Sequence, residues 1–411
     1  MAIEEQSMKI ILVVGARPNF MKVAPIMRAI TRFNAGLRDS KSNSGLNVIH
    51  PVLVHTGQHY DAQMSGAFFS DLALPEPDIF LGAGSASHAE QTAEIMKRFE
   101  PVLIKENPDM VLLVGDVNST LACALVTSKI TLSKGNPRPL VVHVEAGLRS
   151  FDRDMPEEIN RMLTDHLSDL LFVTESSGIE NLHREGIPPE RMFLVGNTMI
   201  DSLSAYRKKA EHSDILDRLE LRPAGAIIPY ALLTLHRPGN VDDREGFVEI
   251  FEGLQPLAAS HRIIFPAHPR TRKQMEVLKV GSYLRCELSK ASGAMKETPS
   301  GGITLIDPLG YLDFVCLMKN ARLVVTDSGG IQEETTFLQV PCVTVRENTE
   351  RPITLQIGTN VLAGTKRQRI REAIERQLQQ PRKGQLPEKW DGRSSERIVE
   401  ILAGHLRMQA K

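Results

Sequence analysis

From residue 10 to residue 175 the chain repeats one pattern, a short wholly apolar run followed by an amphipathic stretch. The runs read IILVVG, VLVHTG, MVLLVGD, VVHVEAG and LLFVTE. A strand exposed on one face would alternate apolar with polar residues, and these do not, so both faces must be covered. Parallel strands joined by crossover helices meet that demand, and right-handed crossovers wind helices onto both sides of the sheet. After RMFLVGNTMIDSL and the less patterned LRPAGAIIPY, the rhythm restarts with ALLTLHRPGN, RIIFPAHPRT, GITLIDPLG, ARLVVTDSGG and PCVTVREN. The expectation is therefore an α/β chain with two consecutive parallel sheets and a cleft between them. AGLRDSKSNSGLN, LSKGNPRP and LSKASGAMKETPSGG are polar and rich in Gly, Ser or Pro, as peripheral insertions are. SSERIVEILAGHLRMQ has helical spacing and predicts a closing amphipathic helix.

With 411 residues there is length for two cores, and 49 basic against 50 acidic side chains leave a net charge of -1. No overall field draws the chain to nucleic acid or to an anionic membrane, so any anion must be held locally. Cys123, Cys286, Cys316 and Cys342 form no C-x-x-C pair, which argues against a zinc site or a secreted disulfide framework and suits a reducing cytoplasm. The apolar run after the acidic MAIEEQSMKI is too short for a signal peptide or a membrane span.

In an open parallel sheet ligands collect beyond the carboxyl ends of the strands. Those ends are polar here: Arg17 and Lys22, Gln58 and His59, Asp116, and Glu145 in the first half; His236, Arg237, His268, Asp313 and Asp327 in the second. The stretch VVTDSGGIQEE adds a specific device. Ser328-Gly329-Gly330 lets a ligand approach the backbone closely, and the helix that follows offers unpaired N–H groups, together a seat for phosphate. The plainer reading, compatible with that seat, is that Ser328 caps the helix and Glu333 and Glu334 complement its dipole. A glutamate in the first turn is better employed on a ribose diol than beside phosphates, which makes a nucleotide the natural ligand. There is no G-x-x-x-x-G-K-[ST] loop, and GAGSAS fails the dinucleotide pattern, so a nicotinamide cofactor is not expected.

The ordered series GARPNFMKVAP, GDVNST, HVEAGLRS, MPEEINRMLTDH, VGNTMIDSL, LHRPGN, DPLGYLDF, DSGGIQEE and TERP resembles the UDP-N-acetylglucosamine 2-epimerase family, in its non-hydrolysing branch. The resemblance implies two Rossmann-like doubly wound parallel-sheet domains facing a cleft, as in GT-B glycosyltransferases. Residues 1–200 with a closing helix at 393–411 would form the first, and 201–392 a UDP-binding second. It implies a homodimer with no cofactor and no metal, acting on a UDP-sugar. It also implies phosphate contacts from Arg17, Ser328, Gly329 and Gly330 with Lys22 close by, Glu334 on the ribose, Phe314 on the uracil, and Arg351 completing the nucleotide side.

Carbon 2 of an N-acetylhexosamine bears no acidic proton while the sugar is intact, so elimination of UDP must precede inversion. Acid/base groups on two faces of the ring are then needed. Asp116, Glu145 and Glu157 match the family's carboxylates, and His236 would contact the departing diphosphate. Glu157 opens a helix on which Ile159, Met162, Leu163 and Leu167 form an apolar face. The chain departs from the family pattern at ARPN, HRPGN, GDVNST and TGQHYDAQMS. The last resembles relatives that act on diacetamido uronates, so a modified UDP-2-acetamido sugar, a hydrolysing epimerase and a GT-B glycosyltransferase stand as alternatives.

Overall fold

The computed structural model describes residues 7–39, 48–58, 76–132, 138–267, 269–288 and 301–409. The three polar insertions fall largely outside the described residues, and His59 and His268 lie outside them. The chain divides into two units, Met1–Ser202 with Glu388–Lys411, and Leu203–Pro387.

In the first unit the strands are β1 (Ser7–Val14), β2 (Val48–His55), β3 (Ile79–Phe80), β4 (Met110–Val114), β5 (Leu140–Ala146), β6 (Leu170–Val173) and β7 (Met192–Leu194). They pair in parallel in the order β3-β2-β1-β4-β5-β6-β7. Every residue of β4 and β6 is buried, as their continuous apolar sequences require. The helix His88–Glu106 opens on a capping box between Ser87 and Glu90 and lays Ile95, Phe99 and Leu103 against β1 and β4. The closing helix Ser394–Gln409 belongs to this unit, with Ile398, Val399, Leu402 and Ala403 buried. Its first amides, Ser394 N–H and Ser395 N–H, donate to the Asp201 carboxylate at 3.1 and 2.6 Å, so a residue far away in sequence supplies its cap.

The second unit holds β8 (Tyr230–Thr234), β9 (Arg262–Pro266), β10 (Leu284–Leu288), β11 (Gly302–Ile306), β12 (Leu323–Thr326), β13 (Cys342–Thr344) and β14 (Asn360–Leu362). Again all pairs are parallel, in the order β10-β11-β9-β8-β12-β13-β14. Phe247 and Phe251 stack at 4.7 Å in the core beneath it, with Phe265 beside them. Each sheet is a doubly wound Rossmann-like layer. Strand order reverses between β1 and β4 in one and between β8 and β12 in the other, the points where such sheets open to ligand. Among the described residues no helix is long and apolar enough to cross a membrane.

His55 ends β2 between the rings of Phe20 and Phe80, with centroids 5.2 and 5.1 Å away. Burial lowers its pKa to about 4, so the folded protein prefers the neutral ring. The unfolded chain takes up this proton near pH 6.5 and the folded chain only near pH 4, so stability falls as pH drops across that window. A tenfold difference in proton affinity between the two states is worth about 1.4 kcal/mol, which bounds the loss at roughly 2–3 kcal/mol for a ring that solvent still partly screens. Urea midpoints measured from pH 7 to pH 4 should fall less steeply in His55→Leu than in the parent, and an unchanged slope would show that other groups dominate.

Candidate active site

At the switch point of the first unit the chain leaves β1 through Gly15 and enters the helix Arg17–Asp39. Asn19 ties the turn: its Oδ1 accepts Gly15 N–H and Ala16 N–H at 3.1 and 2.9 Å, and its Nδ2 donates to the Val114 carbonyl at the end of β4 at 2.9 Å. One helical step further, the Lys22 ammonium pairs with the Glu145 carboxylate, both side chains more than nine-tenths buried. The resemblance puts Lys22 close to the phosphates; its partner in the structure is a carboxylate of its own unit. Arg17 is the first residue of the same helix, and its side chain lies outside those described.

Glu145 adopts φ 76°, a left-handed backbone unusual for any side chain with a Cβ, at a register shift between β5 and β6. The bulge turns its carboxylate toward Lys22. Next to it, directly after β4, Gly115 has φ 69°, and a Cβ there would lie 2.9 Å from Lys22 Nζ. Asp116 follows. Arg161 Nε and Nη2 approach its Oδ2 at 3.0 and 2.7 Å, and Asn160 Nδ2 donates to its carbonyl at 2.9 Å. Arg161 also meets Glu158, whose carboxylate accepts Ser150 N–H and Phe151 N–H at 3.0 and 2.9 Å.

The helix Pro156–Leu167 inverts the expected burial. Glu158, Asn160, Arg161, Thr164 and Asp165 are its buried face, Ile159 and Met162 are half-buried, and Leu163 is exposed. The reason is what it packs on: the helix Asn118–Lys129 and the turns after β4 and β5, where Asp116, Asn118, His143 and Gly147 N–H take its polar side chains. Glu157, in the first turn, is exposed. Gln58 is committed elsewhere, its Oε1 accepting Ser119 N–H and Oγ–H at 3.1 and 2.7 Å.

In the second unit the switch point joins His236, after β8, to Asp327, after β12. Asp327 is wholly buried and accepts from His236 Nδ1 at 2.9 Å, from the amides of His236 and Arg237 at 3.0 and 2.9 Å, and from Asn240 Nδ2 at 3.2 Å. Burial alone would raise its carboxyl, but the His236 ring and these two amides hold it below the usual carboxylate range. The imidazole itself is 54% exposed. Directly after Asp327, Ser328 sits extended at the start of the helix Gly329–Leu338, and its side chain makes no cap. The Glu350 carboxylate lies against that start, where a Cβ on Gly329 would be 2.5 Å from its Oε1. Arg237 and Arg346 reach Glu350 at 3.2 and 2.8 Å.

Glu333 and Glu334 lie beyond the first turn of this helix, so they do not complement its dipole. Both are buried: Glu333 meets Arg351 Nε at 2.6 Å, and Glu334 accepts the Tyr311 hydroxyl at 3.1 Å, which with burial pushes that phenol well up. Phe314 is half-buried on the helix Tyr311–Asn320. Asp313, expected at a strand end, lies inside that helix, bonded to Ser213 Oγ at 2.5 Å and paired with Arg218, so it leaves the site. Sequence reasoning missed Asn19, Glu158, Arg161, Arg346 and Glu350. The i, i+3 charges Glu158 and Arg161 and the i, i+4 charges Arg346 and Glu350 left a readable trace.

The family model described as UDP-N-acetylglucosamine 2-epimerase matches residues 43–403. The chain is similar to the UDP-N-acetylglucosamine 2-epimerase of Methanocaldococcus jannaschii, 41% identical over 96% of this chain and 99% of that one. It is 36% identical to the UDP-2,3-diacetamido-2,3-dideoxy-D-glucuronate 2-epimerase of Pseudomonas aeruginosa, over 96% and 98%. A crystal structure of the M. jannaschii protein in complex with UDP-GlcNAc and UDP superposes with a TM-score of 0.81, covering 96% of this chain and 99% of that one.

Gly115→Ala would force a Cβ into a left-handed backbone against Lys22 Nζ. It should cost about 1–3 kcal/mol of stability, read from urea unfolding. A parent-like midpoint would mean the β4 turn relaxes freely.

Proposed function

We propose that this chain, which belongs to the UDP-N-acetylglucosamine 2-epimerase family and is an epimerase, interconverts UDP-N-acetylglucosamine and UDP-N-acetylmannosamine without releasing free sugar. The observation that carries the reading is the group at the ends of β1, β4 and β5: Asp116 held by Arg161, and Glu145 held by Lys22. These are two carboxylates at the carboxyl ends of neighbouring strands, each oriented by a basic side chain, and proton transfer on two faces of a ring needs two such groups, one to take the proton and one to return it.

The reaction begins with cleavage of the bond from carbon 1 to the UDP oxygen, whose electron pair leaves with UDP. The oxocarbenium character left at carbon 1 acidifies the proton on carbon 2. A carboxylate removes that proton, and the C–H electron pair forms the double bond of 2-acetamidoglucal. Returning a proton to the opposite face of carbon 2, with UDP re-adding at carbon 1, gives the manno epimer and balances every atom. Asp116, Glu145 and Glu157 are the acid/base candidates, and His236 is the group for the leaving phosphate, its ring oriented by Asp327. In the second unit Ser328, Gly329 and Gly330 at the start of their helix are the candidates for the diphosphate, and Glu334, Phe314 and Arg351 for the nucleoside; in the first unit Arg17 and Lys22 are the phosphate candidates. Arg237 and Arg346, gathered around Glu350 at that same helix start, supply further positive charge. We place the enzyme in the cytoplasm, where UDP-sugars are made, as a homodimer needing no cofactor.

The identity to the P. aeruginosa diacetamido uronate epimerase favours one second reading, the same reaction on a modified UDP-2-acetamido sugar. A hydrolysing epimerase and an acceptor-dependent glycosyltransferase are the remaining alternatives.

Incubation with UDP-N-acetylglucosamine alone in D2O, followed by proton NMR, separates them. UDP-N-acetylmannosamine carrying deuterium at carbon 2 is the expected product. Free N-acetylmannosamine would indicate hydrolysis, and no change would point to a modified sugar or a transferase. Asp116→Asn and Glu145→Gln should each lower kcat by at least about 100-fold while leaving UDP affinity, measured calorimetrically, near the parent value. Arg17→Ala should instead weaken UDP by about tenfold or more. Near-normal turnover in Glu145→Gln would overturn the acid/base assignment.

A further inference from the structure

His143 is a polar residue in the middle of β5, set between Val142 and Val144 with its side chain wholly buried. Its ring is held at both ends. Nδ1 lies 2.7 Å from Asp165 Oδ1, and Nε2 lies 2.8 Å from the Gly115 carbonyl. A backbone carbonyl can only accept, so Nε2 bears a proton. Asp165 also accepts Gly147 N–H at 3.0 Å and pairs with Arg149 at 2.7 Å. With Arg149 and Gly147 N–H both on its Oδ2, Asp165 presents Oδ1 as an acceptor to Nδ1, so the ring donates at both ends.

The charges around the ring fit that state. Behind it stand Asp165, then Arg149, then Glu185, which Arg149 meets at 2.7 Å. In front of it, across the Gly115 turn, stand Lys22 and Glu145. Gly115 is therefore gripped twice, its N–H donating to the Val144 carbonyl at 3.1 Å and its carbonyl accepting from His143. The next residue is Asp116. A trans peptide is planar, so fixing the Gly115 carbonyl fixes the plane from which the Asp116 backbone departs. Asn160 then holds the Asp116 carbonyl on the other side.

We propose that His143 is a positioning residue for the epimerisation, a buried double donor that clamps the Gly115 carbonyl and so sets where Asp116 presents its carboxylate. The inference rests on the reading that Asp116 takes part in proton transfer at carbon 2. It adds a residue that never touches substrate, reaching the reacting groups through one peptide bond.

Two substitutions separate the ends of the ring. The amide nitrogen introduced by His143→Gln reaches about as far as Nε2 and can keep the bond to Gly115; that introduced by His143→Asn reaches only as far as Nδ1 and keeps the bond to Asp165. His143→Asn should lose kcat by roughly 10- to 100-fold at unchanged KM, as a small misplacement of a reacting group does, and His143→Gln should lose much less. Equal losses, or the reverse order, would overturn the proposal, because the contact with Asp165 would then be the one that matters. Should either variant fold poorly by circular dichroism, the parent protein decides: with 15N-histidine labelling at neutral pH, both ring nitrogens of His143 should be protonated, and one bare nitrogen overturns the clamp. Asp116→Asn belongs in the same assay. If it turns over normally, the assignment of Asp116 fails; if it is inactive while His143→Asn is normal, only the clamp does.

Discussion

A strand covered by helices on both faces carries polar groups at little cost only where it ends, and inside it each must be partnered, as His143 is in β5. β4 and β6 contain no residue that is not buried, and the groups that would be intolerable inside them are displaced to the turns that follow. Reversal of strand order at β1 and β4, and at β8 and β12, separates the crossovers at those turns and leaves room between them. The polar residues therefore gather at two places, Lys22, Asp116 and Glu145 at one, His236 and Asp327 at the other.

Groups so gathered are still largely buried, and each must find a partner. Glu145 has Lys22, Asp116 has Arg161, Asp165 has His143 and Arg149, and Asp327 has His236 and two backbone amides. Paired charges of this kind add little net stability, yet removing one partner is costly because the other is left buried and uncompensated. Their value is positional. The left-handed backbone of Glu145 persists because the β5 bulge and Lys22 hold it on both sides, as a strained backbone must be held by its surroundings. Charges fixed before substrate arrives need no reorganisation when the reaction calls on them.

How much of this is legible in the sequence differs by element. Strand interiors are legible because their apolar runs admit no other burial, and the closing helix because its spacing has one apolar stripe. The strands β3, β7, β10 and β14 are not, and all four are sheet edges, where a short segment makes its hydrogen bonds with one neighbour and needs no long apolar signature. The helix Pro156–Leu167 reads with the wrong face inward, since apolar periodicity assumes an apolar partner and this helix packs on polar groups. Asp313 has the look of a strand end and is a helical residue tied to Arg218.

What the sequence determined by itself is the two-fold α/β rhythm, the family, and the identity of the polar residues at the strand ends, because all three follow from local pattern along the chain. What only the tertiary structure decided is the pairing of those residues. That Lys22 lies on Glu145, that Arg161 holds Asp116, and that His143 reaches the carbonyl before Asp116 depend on which strands become neighbours. Ion pairs and hydrogen bonds act over a few ångströms of space, so they are settled by the order of strands in the sheet and leave no mark in the order of residues along the chain.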